Sequence, residues 1–143
     1  MGLDAVVYKH RSKLPLDPER AGLRIEQNTG EWYSQNDQLP QAIKSAGVRA
    51  LQRRLGNVSL IASLNNQVAS LLPADSVLLA GVLYDGTHGG DVISLDRVDI
   101  LKQEISILRN NDSALSPELA MLLDSLDALI EAAEDNHNPI VFV

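Results

Sequence analysis

The segment YDGTHGGD, residues 84–91, concentrates the side chains of this sequence that could carry out chemistry. His88 follows Asp85 by three residues and precedes Asp91 by three. A histidine beside a carboxylate can act as a general base held in one orientation, and the same three side chains can bind a metal ion. The glycines of the segment give the backbone the freedom that a tight loop requires.

The same segment also has a purely structural interpretation, because it matches no phosphate-binding motif. The Walker pattern requires a lysine after its second glycine, and no lysine follows Gly86 in this segment; the spacing GxGxxG is absent as well. The sequence leaves three alternatives open. The segment is a turn in which glycines take positive φ and Asp91 bonds backbone amides, a loop that binds a partner, or a small active site.

A second group of candidate residues lies in the last predicted helix. Four carboxylates, at positions 124, 127, 131 and 134, recur at spacings of three and four and therefore share one helical face. The face is either a solvated surface or a docking strip for a basic partner. Asp127 and Glu131 are the residues that we expect to contact such a partner.

The aromatic pair Trp32 and Tyr33 forms a third candidate. The two residues are adjacent in a predicted strand, so their side chains point to opposite faces and at least one should be exposed. Tryptophan and tyrosine are enriched in the residues that dominate binding energy at interfaces. Packing of Trp32 in the core is the alternative.

Composition favours a protein-binding role over several other functions. The 143 residues include no cysteine, which excludes disulfides and thiolate chemistry. Residues 1–56 contain 9 Lys/Arg and 6 Asp/Glu, whereas residues 57–143 contain 3 and 13. An acidic half of this kind repels nucleic acid and attracts basic partners. We expect no cofactor and no bound metal.

The N-terminal residues do not resemble a signal peptide, and the longest apolar run has eight residues, VLLAGVLY. A bilayer-spanning helix needs about 20. We therefore expect a cytoplasmic protein without a membrane-spanning segment.

The elements that must position these residues follow from the hydrophobic pattern. Alternation predicts a strand over 3–8 and a hairpin over 22–34, with Gly30 in its turn. Helical periodicity and capping residues predict four helices, over 39–55, 58–72, 95–109 and 116–135. Continuous apolar runs predict a central strand over 76–86 and a last strand over 138–143. The pattern indicates a single α+β domain over residues 1–143, with a mostly antiparallel or mixed sheet of about five strands and about four helices.

Three stretches of the sequence carry a resemblance to known proteins. The opening MGLDAVVY, the loop YDGTHGGDVISL and the end NPIVFV together resemble a group of small uncharacterised bacterial proteins, some of which are similar to immunity proteins of polymorphic toxin systems. The resemblance implies a protein that neutralises a toxin by binding it. It implies no active-site residues.

These observations predict a binding protein, of the immunity type, that neutralises a cognate and basic bacterial toxin. The alternatives are a small enzyme that uses the histidine and aspartates of the glycine-rich loop, and a homodimeric protein of another role. The candidate binding residues are Trp32, Tyr33, Asp85, His88, Asp91, Asp127 and Glu131.

Overall fold

The computed structural model describes residues 2–34, 38–111 and 115–143. Its strands are β1 (Gly2–Tyr8), β2 (Leu23–Ile25), β3 (Trp32–Ser34), β4 (Arg49–Asn57), β5 (Val92–Ile93) and β6 (Ile140–Phe142). Its α-helices are α1 (Gln41–Ala46), α2 (Val58–Ala69), α3 (Leu95–Arg109) and α4 (Pro117–Asn136). Short helical turns of other types cover Arg11–Lys13 and Leu78–Val82. The protein is α+β, as the sequence pattern predicts.

The main sheet places both predicted terminal strands in its interior. Its order is β4-β1-β6-β5, and every neighbouring pair is antiparallel. β1 pairs along its whole length with β4 on one side and with the short β6 on the other. The terminal strands are apolar because they lie between neighbours, as expected for central strands.

One face of this sheet carries the main core, which is built almost wholly from aliphatic side chains. Leu3, Ala5 and Val7 of β1 pack there against the buried stripes of α2, α3 and α4. The predicted starts of two helices are confirmed by their caps. The side chain of Asn57 accepts from the Leu60 amide at the start of α2, and Ser116 accepts from the Leu119 amide at the start of α4.

The predicted hairpin is confirmed and forms a separate two-stranded sheet. β2 pairs antiparallel with β3, and Gly30 has a φ of 78° in the turn between them. Leu23 and Trp32 pack with Ile43 of α1 and with Leu14 in a second, smaller core. The hairpin and α1 therefore stabilise each other through a cluster that is separate from the main core.

The prediction of one long helix over 39–55 is wrong. The helix ends at Ala46, and Gly47 follows with a φ of 78°, a conformation that favours glycine. From Arg49 the chain forms the nine-residue strand β4, and seven of its residues pair with β1, with two register shifts along the pairing. β4 is an edge strand of the main sheet, and its arginines are exposed there, as charged side chains commonly are at a sheet edge.

The prediction of a central strand over 76–86 is also wrong, although its burial is confirmed. Leu78, Leu79 and Val82 are buried, but they lie in a π-helical turn in which the Leu83 amide donates to the Leu78 carbonyl. A short run that is apolar on all sides fits a buried helix as well as a buried strand, so periodicity does not separate the two.

A buried carboxylate holds the first amides of this turn. Glu104 of α3 is 9% exposed, and its two oxygens accept hydrogen bonds from the Val77 and Leu78 amides at 2.9 and 2.8 Å. The first amides of a helical segment have no partner within it, so a buried turn needs an acceptor from elsewhere in the fold. Glu104 supplies that acceptor across 26 residues of sequence.

We therefore expect Glu104→Ala to lower the free energy of unfolding by about 2–4 kcal/mol, since it leaves two buried amides without an acceptor. Glu104→Gln should cost less, because its single side-chain oxygen can still accept from one amide. Urea denaturation of the three proteins measures both differences. Equal stability of wild type and Glu104→Ala would contradict the capping role.

Candidate functional site

The loop of residues 84–91 connects the π-helical turn to β5 and encloses His88. The imidazole lies between two rings, stacked on Tyr84 at a centroid distance of 4.4 Å and tilted against Phe142 at 4.5 Å. Its side chain is only 3% exposed. The sequence left the role of His88 open between a turn, a binding loop and an active site, and the structure makes His88 part of the protein interior.

Two polar atoms face the two ring nitrogens of His88. Nε2 lies 2.7 Å from the Val82 carbonyl oxygen, which accepts but cannot donate, so Nε2 carries the hydrogen of this bond. Nδ1 lies 3.2 Å from Oδ2 of Asp91, in an orientation that makes no hydrogen bond in the described structure. The contact with Val82 is therefore the one defined hydrogen bond of the ring.

The two aspartates of the loop have different partners. Asp91 is brought next to His88, and its Oδ2 also accepts from the hydroxyl of Tyr84. Asp85 instead accepts at Oδ1 from the amide and the hydroxyl of Thr87, both at 3.0 Å. The structure thus unites His88 with Asp91 but engages Asp85 in a local turn.

Backbone hydrogen bonds attach the loop to the C-terminal strand. The Gly90 amide donates to the Phe142 carbonyl at 2.7 Å, and the Phe142 amide donates to the Asp91 carbonyl at 2.9 Å. Gly90 has a φ of 95°, which confirms the positive φ expected of the turn; Gly86 and Gly89 lie outside that region. The sequence predicted that Asp91 bonds backbone amides of the loop. In the structure it is Asp85 whose side chain accepts from a backbone amide, that of Thr87.

A cleft of about 350 Å³ lies between this loop and α2. One wall is α2 from Val58 to Asn66, and the other is residues 83–86. Tyr84 is 49% exposed at the rim. Sequence reasoning missed Tyr84, although it begins the segment YDGTHGGD, because only the structure reveals that His88 supports one face of its ring and Asp91 holds its hydroxyl.

The acidic face of α4 is exposed but partly paired with α3. Arg109 contacts Asp127 and lies 2.9 Å from Asp124, and Lys102 lies 3.0 Å from Glu134. The hydrogen bond and negative charge of Glu134 raise the pKa of Lys102. Glu131 is exposed and takes part in none of the ion pairs between residues that the structure describes.

The two hairpin aromatics are separated by burial, as alternation predicts. Trp32 is 5% exposed, and its Nε1 donates to the Lys9 carbonyl at 3.0 Å. Tyr33 is 43% exposed. Tyr33 is the member of the pair that a partner can reach, while Trp32 holds the hairpin against the end of β1.

The described residues contain no group of three histidine, cysteine or carboxylate side chains placed to hold a metal ion. Within the same ranges, no helix combines the length and the apolar character needed to cross a bilayer. Comparisons with protein-family models, with curated proteins and with solved structures found no match to this chain.

Because His88 is buried, removal of its side chain should lower the stability of the protein. We expect His88→Ala to lower the free energy of unfolding by about 2–4 kcal/mol, because it leaves a cavity between two rings and an unpaired carbonyl at Val82. Gly89→Ala is the matched control in the same loop. A Cβ at Gly89 would have its nearest neighbour at 3.5 Å, an ordinary contact.

Thermal and urea denaturation of both variants measure the difference. A His88→Ala protein as stable as Gly89→Ala would contradict the structural role of the histidine and restore the interpretation of His88 as a free functional group.

Proposed function

We propose that this protein is a binding protein of the immunity type, which neutralises a cognate bacterial toxin by covering a basic surface of that toxin. The proposal keeps the function that the sequence predicts. The proposal includes a cytoplasmic place of action, and it includes a partner that is a protein rather than a nucleic acid. The acidic composition of residues 57–143 and the lack of cysteine support both parts.

The exposed acidic face of α4 is the observation that carries the proposal. Its carboxylates extend over three helical turns, a length of about 15 Å from Asp124 to Glu134. Arg109 and Lys102 offset only part of this charge, since Arg109 is shared by two aspartates. Glu131 lies at the centre of the face and outside these pairs, so it is the carboxylate most available to a basic partner.

The enzyme alternative has weaker support. His88 and Asp91 lie within 3.2 Å, which resembles a base and its orienting carboxylate. A general base must reach the proton that it removes, however, and the imidazole is covered by Tyr84 and Phe142 with its Nε2 bonded to Val82. The pair is better suited to supporting the loop than to contacting a substrate.

The homodimer alternative is opposed by charge if the α4 face is the contact. A two-fold symmetric dimer brings the same surface of each copy together. Pairing two acidic faces places like charges opposite each other, which costs free energy. A toxin with a basic active-site cleft has the complementary sign.

The test is a charge reversal on this face, measured against a toxin domain encoded beside the gene for this chain. We expect Glu131→Lys to slow association, and Asp127→Lys with Glu131→Lys to slow it on the order of tenfold, because exposed charges act mainly on the association rate. The loss should shrink at high salt, where surface charges are screened. Coexpression of the variants with the toxin should rescue growth less well than the wild type.

Two controls separate charge from folding. Asp75→Lys makes the same change of charge as Glu131→Lys, but in the turn before the π-helical turn, and should leave the association rate unchanged. Glu131→Lys alone avoids the loss of the Arg109 contact that Asp127→Lys entails. An association rate that is equal in the wild type and the double variant, with unchanged salt dependence, would rule out this face as the docking surface.

A further inference from the structure

The cleft between α2 and residues 83–86 has a chemical character that the acidic face of α4 does not explain. Among the described residues, its lining includes one carboxylate, Asp85, one aromatic side chain, Tyr84, and no lysine or arginine. Val58, Ile61 and Ala62 provide an apolar wall along α2. A negative group, a π face and an aliphatic wall together suit a long cationic side chain.

Tyr84 is unusually well fixed for an exposed aromatic residue. His88 stacks on one face of its ring with an interplanar angle of 29°, and Asp91 accepts from its hydroxyl. His88 itself is held by the Val82 carbonyl, so the support is rigid. A ring that is already ordered loses little conformational entropy when a ligand stacks on it.

Asp85 is also fixed in a form that leaves it able to bind. Both of its hydrogen bonds from Thr87 end at Oδ1, so the second carboxylate oxygen can accept from a ligand. Asn65, on the α2 wall, is oriented by its own bond from Nδ2 to the Leu83 carbonyl at 2.9 Å. The polar groups of the cleft are thus held in place before any ligand arrives.

We infer that this cleft binds the side chain of an arginine, presented by the partner protein. The planar guanidinium can stack on Tyr84 while it donates to Asp85, and its aliphatic stem can lie along Val58 and Ile61. An anion is the other ligand that the start of a helix can attract. Here the side chain of Asn57 already takes the Leu60 amide, and Asp85 repels negative charge.

The inference extends the proposed function, since it assumes that a basic protein supplies the arginine. It uses a different surface from α4. The two ideas can therefore fail separately.

The test uses Nα-acetyl-arginine-N-methylamide as the probe and two-dimensional ¹H–¹⁵N NMR of the intact protein as the measurement. We expect saturable shift changes at the amides of residues 58–66 and 83–86. The citrulline analogue has nearly the same shape without the charge and should cause much smaller changes. The lysine analogue should bind more weakly than arginine, because its ammonium is not planar and cannot stack in the same way.

Asp85→Asn is the decisive variant, because asparagine keeps an oxygen that can accept from Thr87 and removes only the charge. Its dissociation constant for the probe should rise about threefold to fivefold, the size expected for one exposed charge pair. Asp75→Asn removes an exposed carboxylate elsewhere in the chain and should leave the constant unchanged.

Equal binding of the arginine and citrulline analogues, shift changes that map outside the cleft, or no saturable change would each overturn the inference. An intact effect of the α4 reversals on partner binding would then leave the proposed function standing without the cleft. The converse result, arginine binding in the cleft with no effect of the α4 reversals, would retain the cleft and remove the α4 face.

Discussion

The backbone of the buried turn at Leu78–Val82 requires hydrogen-bond partners at both of its ends, and two side chains supply them. Glu104 accepts hydrogen bonds from the Val77 and Leu78 amides at the start, and His88 donates to the Val82 carbonyl at the end. The second bond determines how the loop of residues 84–91 is arranged. A buried polar group without a partner costs free energy, so replacing Glu104 or His88 by a side chain that cannot form these bonds should destabilise the fold. One polar residue from α3 and one from the glycine-rich loop thus hold an otherwise apolar segment in the core.

This constraint explains why a histidine between two aspartates is buried in the described structure instead of lining an open site. Once His88 bonds Val82, its ring lies under Tyr84 and against Phe142, and the loop is drawn onto β6. Tyr84 and Asp85 are left at the surface, beside α2. Under our proposal, the glycine-rich loop supports a binding surface beside α2, and the acidic face of α4 is a second one.

Elements with local signals could be predicted from the sequence, and elements defined by distant partners could not. The caps at Asn57 and Ser116 and the apolar terminal strands were sufficient to predict α2, α4, β1 and β6. The strand at Arg49–Asn57 is fixed by its pairing with β1, about 50 residues away, and its own residues suit a helix equally well. Similarly, the candidate aspartates and His88 were identifiable by type, but the burial of His88 depends on Phe142, and the pairing of Asp127 depends on Arg109.

The ring nitrogens of His88 provide the most direct test of the central claim, which is that the loop supports a binding surface and does not form a catalytic centre. Long-range ¹H–¹⁵N NMR reports which nitrogen carries hydrogen, and the exchange of that hydrogen with water reports its access to solvent. The account predicts hydrogen at Nε2, bonded to Val82 and slow to exchange. A ring with hydrogen only at Nδ1 and a bare Nε2, in rapid contact with solvent, would contradict it.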